Sequence, residues 1–98
     1  MKVTLKEAHD IVYEQRTHQI TVEIDGEEYI IRQTEDDNGC DFYVFHKDFE
    51  NGWTNPYELE EGELKETLSK LANVAHDDFI FSTSKEGKEV DMDELEDY

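Results

Sequence analysis

HQITVEIDGEEYII, running from His18 to Ile31, is the stretch on which the fold turns. From His18 to Ile24 the residues alternate: His18, Ile20, Val22 and Ile24 point one way, and Gln19, Thr21 and Glu23 the other. Asp25-Gly26 is a two-residue hairpin signal, because a type I′ turn needs positive φ at both central positions. The turn sets Ile24 opposite Glu27, Val22 opposite Tyr29 and Ile20 opposite Ile31. That register gathers Ile20, Val22, Ile24, Tyr29 and Ile31 on one apolar face.

Upstream of the hairpin, Thr4 and Glu7 have the spacing of a capping box, in which hydroxyl and carboxylate satisfy each other's backbone donors. A helix from Leu5 to about Gln15 is expected to follow, with Leu5, Ala8, Ile11 and Val12 on one side. Downstream, Glu35-Asp36-Asp37-Asn38-Gly39 reads as a second turn, and Asp41 to His46 as a third strand. A competing helix exists there, since Phe42, Phe45, Phe49 and Trp53 fall at helical spacing. Phe49 and Trp53 are read as core residues.

After a polar loop at Thr54-Asn55-Pro56, a helix from about Gly62 to Ala75 carries Leu64, Leu68, Leu71 and Ala75 on the face that covers the sheet. Phe79 to Thr83 reads as a short strand. Lys85 to Tyr98 reads as a turn around Gly87 and an acidic segment that frays, with one helical turn capped by Asp91 and Glu94. The expectation is one α+β domain over residues 1–98: helix, three-stranded antiparallel sheet, covering helix, short C-terminal strand and acidic tail, the tail flexible from about residue 85.

Charge narrows the function. The 98 residues include 27 Asp and Glu against 9 Lys and Arg, a formal charge of −18. Direct contact with nucleic acid is disfavoured, because phosphates need Lys and Arg partners. Anionic membranes are disfavoured for the same reason, and no apolar run approaches the roughly 18–20 residues of a membrane span. A basic protein, or a cation, is the expected counterpart. Cys40 is the single cysteine, which excludes an internal disulfide and suits a reducing cytoplasm. Met1-Lys2-Val3 runs straight into polar sequence, without the pattern of a signal peptide.

Catalysis finds little support. The chain lacks a Gly-rich phosphate loop, a nucleophile elbow and a His-Glu-x-x-His motif. Cys40 lies near His46 in sequence, but it sits in or beside a turn among acidic residues and is read as a structural thiol rather than a nucleophile. His9, His18, His46 and His76 show no metal-ligand spacing. The turn Asp36-Asp37-Asn38-Gly39 lacks the alternating ligands of a calcium loop. No cofactor and no metal is expected.

The carboxylates cluster in three places: Asp25, Glu27 and Glu28 at the first turn; Glu35, Asp36, Asp37 and Asp41 at the second; Glu58, Glu60, Glu61 and Glu63 before the last helix. Alternate strand positions repeat every ~6.7 Å, and helical neighbours sit about 5–6 Å apart. Both spacings are comparable with phosphates on one nucleic-acid strand. Rigidly presented, such carboxylates compete for a DNA-binding groove.

Two segments resemble a known family. Phe49-x-Asn51-Gly52-Trp53 followed by Tyr57-Glu58-x-Glu60-Glu61 looks like the segment leading into the last helix of small phage-derived inhibitors of type II CRISPR nucleases, the anti-CRISPR proteins. Asp25-Gly26-x-Glu28-Tyr29-x-Ile31, with Glu35 beyond, is similar to a hairpin of that family. The resemblance covers roughly residues 20–65 and implies helix–three strands–helical end. It also implies a DNA mimic that occupies the nuclease groove reading the short duplex motif. Contact residues would be Asp25, Gly26, Glu27 and Glu28 at the hairpin, and Tyr57, Glu58 and Glu60 before the helix. Asp36, Asp37 and Glu61 join them as candidates on charge. Leu59 stands where the family carries an acid, Asn38-Gly39 makes a turn where it has a helix, and residues 76–98 have no counterpart. The alternatives are an immunity protein or antitoxin that covers a nuclease active site, and an accessory domain whose charge serves solubility.

Overall fold

The computed structural model describes residues 2–12, 16–77 and 79–95. Four long strands follow one another: β1 (Val3–Val12), β2 (Arg16–Ile24), β3 (Glu27–Asp36) and β4 (Gly39–Phe45). A two-residue strand β5 (Trp53–Thr54) comes next, then a 3-10 turn (Pro56–Glu58) and helix α1 (Glu63–Asp77). A short helix α2 (Phe79–Ser84), strand β6 (Lys88–Glu89) and a second 3-10 turn (Met92–Leu95) complete the described chain. All six strands form one antiparallel sheet in the order β5-β4-β3-β2-β1-β6.

The central hairpin has the register its alternation predicts: Ile24 faces Glu27, Val22 faces Tyr29 and Ile20 faces Ile31. Its turn has φ 51° at Asp25 and φ 87° at Gly26, the left-handed pair that a type I′ turn requires. Residues 41–45 lie in β4, with His46 just beyond its end, and the competing helix is not formed.

The expected three-stranded α+β architecture is corrected at both ends. Residues 5–12 are not helical but belong to β1, paired with β2. A bulge lies between Leu5, which faces Val22, and Glu7, which faces Thr21, so Lys6 is an extra residue in the strand. The bulge puts Leu5 and Ala8 on the same buried face three residues apart, and in the sequence this mimics a helical stripe. Val3, Thr4, Ile11 and Val12 are β-branched and suit the strand. The helix–three strands–helix order implied by the resemblance is absent for the same reason.

At the other end, the expected strand over 79–83 is helix α2, which packs against β1. The place at the sheet edge is taken by β6, nominally in the frayed tail. Gly87 and Val90 donate their backbone N–H groups to Leu5 and Val3 carbonyls at 2.8 Å each. Val90 is buried in the core, so the segment is anchored through that point. Asp91 does cap a turn, accepting from the Asp93 N–H at 2.9 Å. Residues 96–98 of the predicted tail, residues 13–15 of the predicted first helix and Asp78 lie outside the described residues.

Helix α1 covers one face of the sheet, as its periodicity predicts. Leu68, Leu71, Ala72, Val74 and Ala75 are buried against Ile20, Val22, Ile31 and Val44. Each large side chain so buried contributes roughly 1.5–3 kcal/mol. The opposite face of the sheet carries no layer among the described residues.

Candidate functional site

Two of the three acidic clusters adjoin the loop that leaves β4. The hairpin turn Asp25-Gly26 projects from β2 and β3, and beside it lies the loop from His46 to Gly52 that leaves β4. Tyr29, one residue beyond Glu28, is buried and stacks on the His46 ring with centroids 4.3 Å apart. Phe49 packs against both rings at 6.4 and 5.5 Å. Phe49 in turn shares a shallow cleft of about 290 Å³ with Asp48, Glu50, Asn51 and Leu59. Leu59 lines the cleft beside Phe49, so the stretch that carries Glu58 and Glu60 adjoins the loop that leaves β4. Tyr29, His46 and Phe49 thus form a ring cluster that ties the hairpin to the loop after β4.

His46 orients part of it. The ring is buried, and its Nδ1 accepts the Asp48 backbone N–H at 3.1 Å. With Nδ1 accepting, the neutral ring carries its proton on Nε2, which donates to Glu27 Oε2 at 3.2 Å. Lys47 Nζ reaches the same oxygen at 3.1 Å. The Lys47 and His46 hydrogen bonds hold the Glu27 carboxyl below its ordinary 4.5, and Glu27 raises the Lys47 ammonium above its ordinary 10.5. Burial, then Glu27, Asp48 and Asp25, push the Tyr29 phenol above 10.0, as expected where several carboxylates surround one ring.

A pH prediction arises here. The depressed Glu27 pKa means that its ion pair supports the folded state above pH 4.5 and is lost as pH falls through the lower folded value. The raised Lys47 pKa means that its share is present below 10.5 and lost as pH climbs through the higher folded value. In an NMR titration the Glu27 carboxyl is expected to show a midpoint below 4.5, and Lys47→Ala should move it upward. A midpoint at or above 4.5 in the unaltered protein would contradict the ion pair.

The ten candidates have distinct fates. Glu28, Glu58 and Glu60 are exposed and form no ion pair among the described residues. Tyr57 is half exposed on the 3-10 turn, its N–H accepted by Asn55 Oδ1 at 2.9 Å and its O–H 3.5 Å from Asn73 Oδ1. Glu27 is engaged by Lys47 and His46, and Glu61 by Lys65 at 2.6 Å. Asp25 accepts the Lys2 backbone N–H at 2.9 Å, so it and Gly26 shape the turn.

Asp36 and Asp37 are not brought to this end. They turn from β3 into β4, with Asp36 Oδ1 accepting the Asn38 N–H at 2.8 Å. Nine residue steps along β3 separate Glu27 from Asp36, a span of about 30 Å at the rise of a strand.

Asp48 and Glu50 belong to the cluster, though the sequence did not single them out. Their only signal was acidity, and their position depends on the path of the loop. Trp53, expected in the core, is 36% exposed on the uncovered face of the sheet, while Phe49 packs against the core as expected. No group of three or more potential metal ligands occurs among the described residues. No helix among them is long and apolar enough to cross a membrane. Comparison with protein-family models, curated proteins and solved structures finds no match to this chain.

Proposed function

We propose that the protein is an inhibitor that mimics DNA, binding the basic groove of a DNA-binding protein through its acidic end. The supporting observation is that the loop after β4 packs on the hairpin through Tyr29, His46 and Phe49 and shares a cleft with Leu59 of the lead-in to α1. Glu28, Glu58 and Glu60 then offer carboxylates from a rigid base, and Tyr57 beside them supplies an aromatic anchor of the type that dominates interface energetics. The backbone that carries Glu28 and Glu58 is fixed by the sheet and the 3-10 turn, which lowers the ordering cost of meeting arginine and lysine to that of the side chains alone.

The target favoured by the Phe49–Glu61 and Asp25–Ile31 motifs is a type II CRISPR nuclease, in the groove lined by Arg and Lys that reads the duplex motif. The mechanism requires no cofactor and no chemistry.

The test is direct. Purified protein added to a guide-loaded type II nuclease is expected to abolish its DNA binding in a mobility-shift assay. The block should weaken steeply between about 50 and 200 mM salt, as contacts to phosphate-binding cations do. Unchanged DNA binding at low salt would reject this target.

A further inference from the structure

The loop that leaves β4 is tied down along its length. Phe49 donates its backbone N–H to the His46 carbonyl at 3.0 Å, and Gly52 donates to the Phe49 carbonyl at 3.0 Å, so two tight turns follow one another. Gly52 closes the second turn at φ 80°, in the left-handed region where glycine carries no strain. This ordered loop and Leu59 line the shallow cleft of about 290 Å³.

The cleft combines two kinds of surface. Phe49 and Leu59 are half-buried against the core, and the exposed Trp53 borders them. Asp48, Glu50 and Asn51 are exposed and supply two carboxylates and an amide. Glu50 forms no ion pair among the described residues. Asp48 Oδ2 lies 3.7 Å from His46 Nδ1, but that nitrogen accepts the Asp48 N–H and carries no proton in the neutral ring. The neighbouring cation, Lys47, is drawn to Glu27 instead.

We infer that, on the reading of this region as a docking surface for a basic groove, the cleft takes one arginine side chain of that partner, with its stem on Phe49 and Leu59 and its guanidinium at Asp48 and Glu50. Size and chemistry select that occupant. Pockets for small molecules run from about 300 to 1,000 Å³, so this cleft has room for a long side chain rather than a whole ligand. A metal ion gains nothing from apolar walls, and no group of three or more potential metal ligands occurs among the described residues. Arginine buries an apolar stem while its charged head stays at the surface. Its planar guanidinium forks onto carboxylates and lies against aromatic rings, whereas the lysine ammonium is a compact and strongly hydrated charge. The molecule makes the same pairing on its own: the Arg32 guanidinium carbon lies 4.6 Å from the Trp53 ring centroid. Arg32 reaches that ring from the adjoining cleft, where Gln19 Oε1 accepts its Nε and Nη2 at 3.0 and 2.8 Å. Asp48 and Glu50 outnumber its single charge.

The probe is N-acetyl-L-arginine amide, which carries the side chain and no other charge. It is titrated into the full chain and followed by amide chemical shifts and by emission of Trp53, the sole tryptophan. Binding should saturate with a roughly millimolar dissociation constant, as a ligand of this size does at ordinary efficiency. The shifts should centre on Phe49, Asn51, Trp53 and Leu59. The capped lysine should bind about fivefold more weakly or worse. Asp48→Asn with Glu50→Gln should weaken the arginine probe about tenfold. Asp36→Asn with Asp37→Asn removes the same charge at the far turn and should change binding by no more than about twofold. Far-UV circular dichroism checks that both double variants stay folded.

Equal binding of the two probes, shifts spread over the whole surface, or equal losses from the two double variants would overturn the assignment. Against the guide-loaded nuclease, the Asp48 and Glu50 variant should again bind about tenfold more weakly than the parent. A nuclease that binds both equally would also overturn it. If the nuclease binds neither while capped arginine still saturates the cleft, the target is wrong and the cleft assignment stands.

Discussion

Reversing three charges together, Glu28→Lys, Glu58→Lys and Glu60→Lys, is expected to weaken binding to a basic DNA-binding groove by about two to three orders of magnitude. Each reversal replaces attraction by repulsion and is worth on the order of 1 kcal/mol or more at a partly desolvated interface. Three such changes sum to a factor of about 100 or above. The fold should survive, because all three side chains are exposed and none forms an ion pair among the described residues.

The informative control is Asp36→Lys with Asp37→Lys at the far turn. That turn lies about 30 Å from Glu27, several times the Debye length of about 8 Å at physiological salt. Its reversal should change affinity by no more than about threefold. Titration of the labelled variants against the guide-loaded nuclease separates the cases. Equal losses from the two ends would mean that bulk charge, rather than the placed cluster, drives association.

Replacing Gln33 with leucine is expected to stabilise the protein by about 1–3 kcal/mol, the cost of burying a polar group without a partner. Gln33 is fully buried in β3, between His18 on β2 and Phe42 on β4. Neither its amide nitrogen nor its amide oxygen meets a hydrogen-bond partner among the described residues. Leucine has a similar volume and removes the need for one. For a domain of this size each kcal/mol moves the Tm by roughly 4–8 °C, so thermal unfolding reads the effect directly. Gln33→Ala removes the same amide but leaves a void, and should gain less. A leucine variant no more stable than the parent would show that the amide is satisfied in solution.

The elements legible in the sequence are those whose signals are local. The Asp25-Gly26 turn and the alternation on either side fix a hairpin register within a dozen residues, and Leu68, Leu71 and Ala75 mark the buried side of α1. Where the reading failed, a long-range contact overrode the local pattern. The extra residue Lys6 in β1 changes a two-residue repeat into the three-residue spacing of Leu5 and Ala8, which has the look of a helix. Phe79 to Thr83 has strand composition but follows directly on α1, and the edge of β1 is occupied by Lys88 and Glu89. That segment is therefore left to pack over β1 as a helical turn. Strand β5 has only two residues, too few to show any period.

The same division runs through the site. Acidity, and the grouping of carboxylates around Asp25-Gly26, Asn38-Gly39 and Tyr57–Glu63, are properties of the chain and follow from composition and order alone. Which groups act together is not. The rise along β3 carries Asp36 and Asp37 away from Glu27, while the loop through His46 and Phe49 meets Glu27 on one side and shares a cleft with Leu59 on the other. Trp53 likewise faces outward beside Arg32 only because it pairs with Phe45 on β4. A carboxylate's charge is set by its own residue, but the field it shares with another depends on distance. That distance is set by strand pairing and loop path across the whole fold.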